Sequence, residues 1–335
     1  MSNASNSYYP WQKSDWSKLI YQTAKERLAH AYLVYGPVGI GKFDFVLKFS
    51  KFLLCVSPSN YDACNKCSNC KLHDSAHPNI KVLMPESNSL EIKIDQVRDL
   101  TDFLNKTGHS SGFKIAIITD ADRLNINAAN ALLKTLEEPS GASTVILCSS
   151  LPGLLSPTLR SRCQKFAMSK PEREETLTWL KENSSAPVDF NLLDIVTENG
   201  PLEILKLAES GLLEKHNLFI NNFLNLLKGK CTIQEVVVSA SELGERHSAY
   251  YLMQFLSRTM LMFFSNRVMD VNSPEKYFVE ILNESSLSRR DLAIELFRYY
   301  DQVAQSYAEL GGSSNLNPQL ITESLIWRGS QLNLY

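Results

Sequence analysis

The stretch that most constrains the fold is GPVGIGKFDF, Gly36 to Phe45. It follows a short apolar run, Ala31 to Tyr35 (AYLVY), and leads into Phe43 to Leu54, where apolar residues recur at helical spacing. Strand, glycine-rich turn and helix in that order make a phosphate-type loop. Its backbone N–H groups lie at a helix N-terminus, where an anion is favoured, and Lys42 is placed to reach the outer phosphates of a nucleotide. Gly36, Gly39, Gly41 and Lys42 supply the loop, but the motif G-x-x-x-x-G-K-[ST] closes on a hydroxyl residue and this chain has Phe43 there. Phenylalanine offers no oxygen to Mg²⁺. A turn that only joins strand to helix is the alternative reading.

Downstream, the periodicities extend this unit into a sheet. Residues 16 to 30 (WSKLIYQTAKERLAH) predict a helix before the first strand. Ile80 to Met84 predicts a short strand, and Ile94, Val97, Leu100 and Leu104 mark a further helix. Lys114 to Thr119 (KIAIIT) and Thr144 to Cys148 (TVILC) are continuous apolar runs of the kind buried in a parallel sheet. Between them, Asn127 to Glu138 predicts a helix capped by an asparagine and stopped by Pro139. Ser156 and Pro157 read as the N-cap and first position of another. Strands alternating with helices to about residue 168 imply a doubly wound α/β core of the P-loop NTPase type.

Beyond residue 170 the strand signals fade. Glu172 to Lys181, Phe190 to Thr197 and Leu202 to Glu209 read as short helices of a small subdomain. Longer helical stripes follow, with Leu218, Phe219, Phe223, Leu226 and Leu227, then Tyr251, Leu252, Phe255, Leu256, Met260, Phe263 and Phe264. They fit a helical-bundle core, with a subunit interface as the alternative. The expected division is an α/β core over 1–168, a helical subdomain over 169–210 and an all-α domain over 211–335.

Hydrophobic residues at 44% against 21% charged place the 335-residue chain among globular proteins. No apolar run approaches 18 residues and the polar start lacks a signal-peptide pattern, so a soluble cytoplasmic protein without membrane contact is expected. With a net charge of −2, contact with nucleic acid has to come from a local patch or from partner chains. Four of the seven cysteines follow the pattern Cys55-x8-Cys64-x2-Cys67-x2-Cys70. Two successive C-x-x-C spacings point to a tetrahedral Zn²⁺ site in a module at about 55–79, and four thiolates leave no open position, which makes it structural. An iron–sulfur cluster is the lesser alternative. His73 and His77 read as ordinary loop histidines, and Cys148, Cys163 and Cys231 as small buried apolar residues.

A working P-loop ATPase also needs, after the strand Ile115 to Ile118, an aspartate that orients Mg²⁺ and a glutamate that activates water. Here Thr119 and Asp120 stand there. A one-residue shift gives Asp120 and Ala121, and one partner is missing either way. In SPTLRSRC, Ser156 to Cys163, Arg160 and Arg162 are surface or salt-bridged arginines unless one completes a neighbour's phosphate site, for which the planar guanidinium is suited.

Taken together, GPVGIGK, the four-cysteine insert, ANALLKTLEEPS at Ala129 to Ser140 and LRSRC at Leu159 to Cys163 resemble the AAA+ clamp-loader subunits of bacterial DNA polymerase III. The match runs from YYPW, Tyr8 to Trp11, through the α/β core. It implies an AAA+ core with a zinc insert, a helical lid and a helical collar that joins subunits in a ring. Phe43 and Thr119 depart from the motor subunits (gamma/tau), and Glu203 stands where the lid of a motor carries a nucleotide-sensing arginine. The arginine of SRC is kept. The resemblance therefore implies a stator whose own ATP and Mg²⁺ site is degenerate, which does not itself hydrolyse ATP and which presents Arg162 to an adjacent gamma/tau motor, in a ring with delta that loads the sliding clamp on primed DNA. A gamma/tau-like subunit that binds and hydrolyses ATP itself is the alternative.

Overall fold

In the computed structural model the chain forms two compact units, Met1–Thr176 and Leu177–Tyr335. The structure describes residues 8–25, 28–73, 77–86, 91–105, 112–138, 141–184, 199–265, 273–311 and 317–332.

The first unit runs Lys13–Lys25 (α1), Ala31–Tyr35 (β1), Lys42–Leu54 (α2), Ser68–His73 (α3), Ile80–Leu83 (β2), Ile94–Asn105 (α4), Lys114–Ile118 (β3), Ile126–Glu137 (α5), Ser143–Ser149 (β4), Pro157–Ser161 (α6) and Gln164–Ala167 (β5). The five strands make one parallel sheet in the order β2-β3-β4-β1-β5. Because side chains alternate along a strand, the apolar runs feed two cores at once. Tyr32, Val34, Ile115, Ile117, Ile146 and Cys148 pack with Trp16 and Leu19 of α1 and with Phe45, Val46 and Phe49 of α2. Leu33, Ala116, Ile118, Val145 and Leu147 pack on the other face with Val97 and Leu100 of α4 and Leu132 and Leu136 of α5.

Strand β1 thus sends its helix to one face, while its neighbour β4 lies in the part of the sheet whose helices α4 and α5 cover the other. The loop after β1 opens at this reversal, at the carboxyl ends of the strands, where α/β sheets hold their ligands.

Several expected boundaries move. Helix α1 ends at Lys25 instead of reaching residue 30, because by then the chain has joined the sheet: His30 accepts from Val145 N at 2.9 Å, and Ala29 N donates to Tyr32 Oη at 3.2 Å. Helix α5 is capped by Asn125, whose Oδ1 accepts from Ala128 N at 2.9 Å, so it begins before Asn127. Strand β5 is not foreseen by the apolar pattern, since Phe166 is its one buried residue. The helix expected at 190–197 lies outside the described residues.

Arg173–Asn183 (α7) spans the division between the units. The second unit continues with Pro201–Glu209 (α8), Leu212–Leu227 (α9), Ile233–Leu243 (α10), Glu245–Ser265 (α11), Pro274–Asn283 (α12), Arg289–Glu309 (α13) and Pro318–Ser330 (α14). Its aromatic stripes form a core: Phe223 stacks on Tyr299 at 6.2 Å between ring centres, and Phe255 on Phe278 at 5.6 Å. Leu218, in contrast, is exposed. Polar groups are also buried here. Arg258 pairs with Glu275 at 2.9 Å. His216 lies edge-on to Tyr251, and neither of its ring nitrogens has a hydrogen-bond partner among the described residues. Burial, with the Arg258 charge, pushes the His216 pKa down to about 3. Among the described residues no helix is long and apolar enough to cross a membrane.

Candidate functional site

The glycine-rich loop has the backbone its sequence predicts. Gly39 and Gly41 hold φ of +78° and +77°, in the left-handed region open to glycine. Gly41 caps α2, and a Cβ there would fall 2.7 Å from the Tyr9 ring and 2.8 Å from Gln12 Nε2.

Lys42 is buried and bonded to its own loop and to Ser150. Its Nζ donates to the carbonyls of Gly36 (3.0 Å) and Pro37 (2.7 Å) and to Ser150 Oγ (2.8 Å). An ammonium has three protons to donate, and all three are engaged. Burial pushes its pKa down to about 8, while Cys148, Asp122 and Asp120 act in the opposite direction.

The segment Tyr9 to Gln12 covers the loop. Trp11 Nε1 donates to Ile40 O at 3.0 Å, and Gln12 Nε2 donates to Ile40 O at 2.8 Å and Gly41 O at 2.9 Å. Tyr9 Oη donates to Asp44 Oδ2 at 3.3 Å. In the sequence YYPW, Tyr8 to Trp11, stands out only through the resemblance. Its role as a clasp depends on contacts across about thirty residues of chain, which no local pattern carries.

Phe43, at the hydroxyl position, packs against the apolar cluster around Trp16, Phe45 and Phe49. Thr119 Oγ1 donates to its neighbour Asp120 Oδ2 at 3.1 Å. The carboxylate that ties this end of the sheet together is one the sequence did not single out, Asp122. Its Oδ1 accepts from Ser149 Oγ at 2.7 Å and from Ser150 N at 3.0 Å. Lys42, Ser150 and Asp122 thus form one hydrogen-bonded chain across the carboxyl ends of β1 and β4.

Arg162 is the C-cap of α6, a helix set by Ser156, whose Oγ accepts from Leu159 N at 3.2 Å, and by Pro157 at its first position. Its Nη1 donates to Thr158 O at 2.9 Å and its Nη2 pairs with Glu137 at the end of α5. The side chain remains 32% exposed. Arg160 is partly buried, and its Nε is enclosed with no partner among the described residues. Glu203 lies in the first turn of α8 in the second unit, where its charge, after burial, contributes to raising the Tyr251 pKa.

The four cysteines converge as expected. Cys55 caps the end of α2, Cys70 lies in α3, and the ligand atoms of Cys55, Cys64, Cys67 and Cys70 all lie within 4.8 Å of one another. A metal about 2.3 Å from each corner of a sulfur tetrahedron sets the sulfurs about 3.8 Å apart. Cys64 Sγ and Cys70 Sγ are 3.9 Å apart. Backbone N–H groups already point at sulfur, Cys64 N at Cys55 Sγ (3.2 Å) and Cys67 N at Cys64 Sγ (3.4 Å). The N–H groups of Lys66 and Cys67 bring the Cys64 pKa down to about 5, as suits a thiolate ligand. The donor set fits a structural metal ion.

His73 and His77 are outside this cluster: His73 Nε2 lies 3.0 Å from Ser50 Oγ, and His77 Nδ1 accepts from Asn79 N at 3.1 Å. Cys148 and Cys163 are buried as expected, but Cys231 is only half-buried, because it precedes the cap of α10 and its thiol faces Glu235 Oε2 at 3.3 Å.

A family model described as "DNA polymerase III, delta subunit" matches residues 11–172. DNA polymerase III subunit delta′ of Pseudomonas aeruginosa is 37% identical over 240 residues, which are 71% of this chain and 70% of that protein. The Escherichia coli subunit delta′ is 35% identical over 183 residues, 54% of this chain and 55% of that protein. DNA polymerase III subunit tau of Bacillus subtilis is 31% identical over 189 residues, 56% of this chain and 32% of that protein. The matched stretch therefore spans between about half and seven tenths of the delta′ relatives' length.

Proposed function

The chain belongs to the DNA polymerase III subunit delta′ family, and from that premise we propose that it is the stator of a bacterial clamp loader. In this reading it does not hydrolyse ATP. It presents Arg162 to the ATP site of an adjacent gamma/tau motor subunit, in a ring with delta that loads the sliding clamp on primed DNA in the cytoplasm. The observation that carries the reading is the state of the chain's own loop. Lys42 is saturated by Gly36, Pro37 and Ser150, and the residue in the Mg²⁺-ligand position, Phe43, is partly buried against the apolar core. A loop so occupied serves as a joint between β1 and α2. Arg162 keeps about a third of its side chain exposed, and a planar, permanently charged fork suits the charge that develops on a γ-phosphate.

The same reading assigns the rest of the chain. Residues 1–168 are the AAA+ core, with zinc held by Cys55, Cys64, Cys67 and Cys70. Residues 169–210 are the lid, where Glu203 replaces a nucleotide sensor, and 211–335 are the collar. Arg162→Ala is expected to leave ring assembly intact and to lower the clamp- and DNA-stimulated ATPase of the reconstituted complex. Turnover equal to that of the unmodified complex sinks the arginine assignment.

A further inference from the structure

We infer that Glu137 is a positioning residue for Arg162, fixing the guanidinium in the orientation in which it meets the neighbouring subunit's phosphate. The inference rests on the reading of Arg162 given above. It starts from a placement that local rules disfavour. Glu137 is the last residue of α5, where the helix dipole presents its negative end and favours cations over carboxylates. Nor is Glu137 needed to fill space, since its side chain is 49% exposed. The carboxylate there pairs with Arg162, which lies twenty-five residues on and belongs to a different helix end.

A half-exposed ion pair contributes little to folding, so stability does not account for the arrangement. Its geometric effect is larger. Arg162 has one anchor on its own helix, Thr158 O to Nη1 at 2.9 Å, and one on α5, Glu137 to Nη2. Two anchors on two elements hold a planar group in place where one would let it swing. Five N–H donors exceed what the two anchors among the described residues use, so the group is oriented and still able to bind. Such pre-orientation removes a reorganisation step from the transition state.

The test is a double-mutant cycle in the reconstituted clamp-loader complex, with ring assembly checked by gel filtration and the free chains by thermal melting. Glu137→Ala should lower kcat by about ten- to a hundredfold with KM for ATP unchanged, a displaced group costing up to about a hundredfold. Glu137→Gln, which keeps an acceptor oxygen, should recover part of it. In an Arg162→Ala background, Glu137→Ala should have no further effect. Unchanged kcat in Glu137→Ala, or a loss that persists in the Arg162→Ala background, overturns the inference while leaving the role of Arg162 standing. Full turnover in Arg162→Ala alone removes the role of Arg162 and this inference with it.

Discussion

Lys42 and Arg162 are both cations held by oxygen atoms of their own chain, and they differ in what is left over. Lys42 is 9% exposed and its three protons meet three oxygens. Among the described residues Arg162 has two anchors for five donors, and its side chain is 32% exposed. An ammonium is a compact charge that a tight loop can satisfy completely, whereas a guanidinium held at two points still has donors to offer. Retention of a basic residue in a motif is therefore no sign that the motif still binds. The number of its donors already satisfied is the better guide.

The largest effect expected from this contrast separates the two residues in one assay. In the reconstituted complex, Arg162→Ala should reduce ATP turnover by about 10³-fold, and Lys42→Met should change it by no more than about twofold. A loss of comparable size from Lys42→Met would mean that the loop of this subunit binds nucleotide after all.

Helix α2 links the loop to the cysteine module, with Gly41 at its N-terminal cap and Cys55 at its C-terminal cap. The module is also tied to the core by Asn69 Nδ2 to Leu54 O (2.8 Å) and by Trp16 Nε1 to Tyr61 O (3.2 Å). If the four cysteines hold a metal, as proposed, its removal with a chelator should leave four thiols packed without a centre and lower the melting temperature of the first unit by about 10 °C or more. Calorimetry with and without chelator, paired with metal analysis of the purified chain, measures this. An unchanged melting curve in a chain shown to have contained metal would limit the site to a surface role.

Phe43 gives the next test. Phe43→Ser restores the hydroxyl of the motif but removes an aromatic ring from the cluster around Trp16 and Phe49. Urea unfolding should show a loss of about 2–3 kcal/mol. ATP hydrolysis by the isolated variant should stay at background, because Lys42 remains bound to Ser150 and the loop remains covered by Trp11 and Gln12. Turnover appearing in this variant would show that one side chain alone had closed the site.

Much of this was legible in the residues. The α/β unit follows from apolar runs of strand length and from glycines that the loop requires, and the metal module from cysteine spacing; both are local patterns. What the sequence hid are pairings across long separations. The inward turn of Lys42 depends on Ser150, 108 residues away. The anchor of Arg162 depends on Glu137, in a stretch where two adjacent glutamates read alike. Asp122 was passed over because the expected metal ligand was one strand-end position and it stands two beyond Asp120, where only the fold brings it to Ser149 and Ser150. Strand β5 escaped because one buried residue makes no periodicity. His216 carries no local signal in the sequence, and it is buried without a hydrogen bond among the described residues.

The last effect comes from the proton on Lys42. Its pKa falls from the ordinary 10.5 to about 8 in the folded chain, mainly through burial. Below pH 8 the folded and unfolded chains both carry this proton, so the group gives stability no pH dependence there. Between about 8 and 10.5 the unfolded chain holds the proton and the folded chain has released it, so folding gains as pH rises through that window. The gain is at most about 3 kcal/mol. Other groups titrate in the same range, and the measurement is therefore the difference between chains: denaturant unfolding from pH 7 to 11 for the natural chain, Lys42→Met and Arg162→Met. The rise attributable to Lys42 should vanish in Lys42→Met and persist in Arg162→Met. If the slope is the same in all three, Lys42 is better hydrated than its three contacts imply, and the contrast between a saturated loop cation and an available one loses its basis.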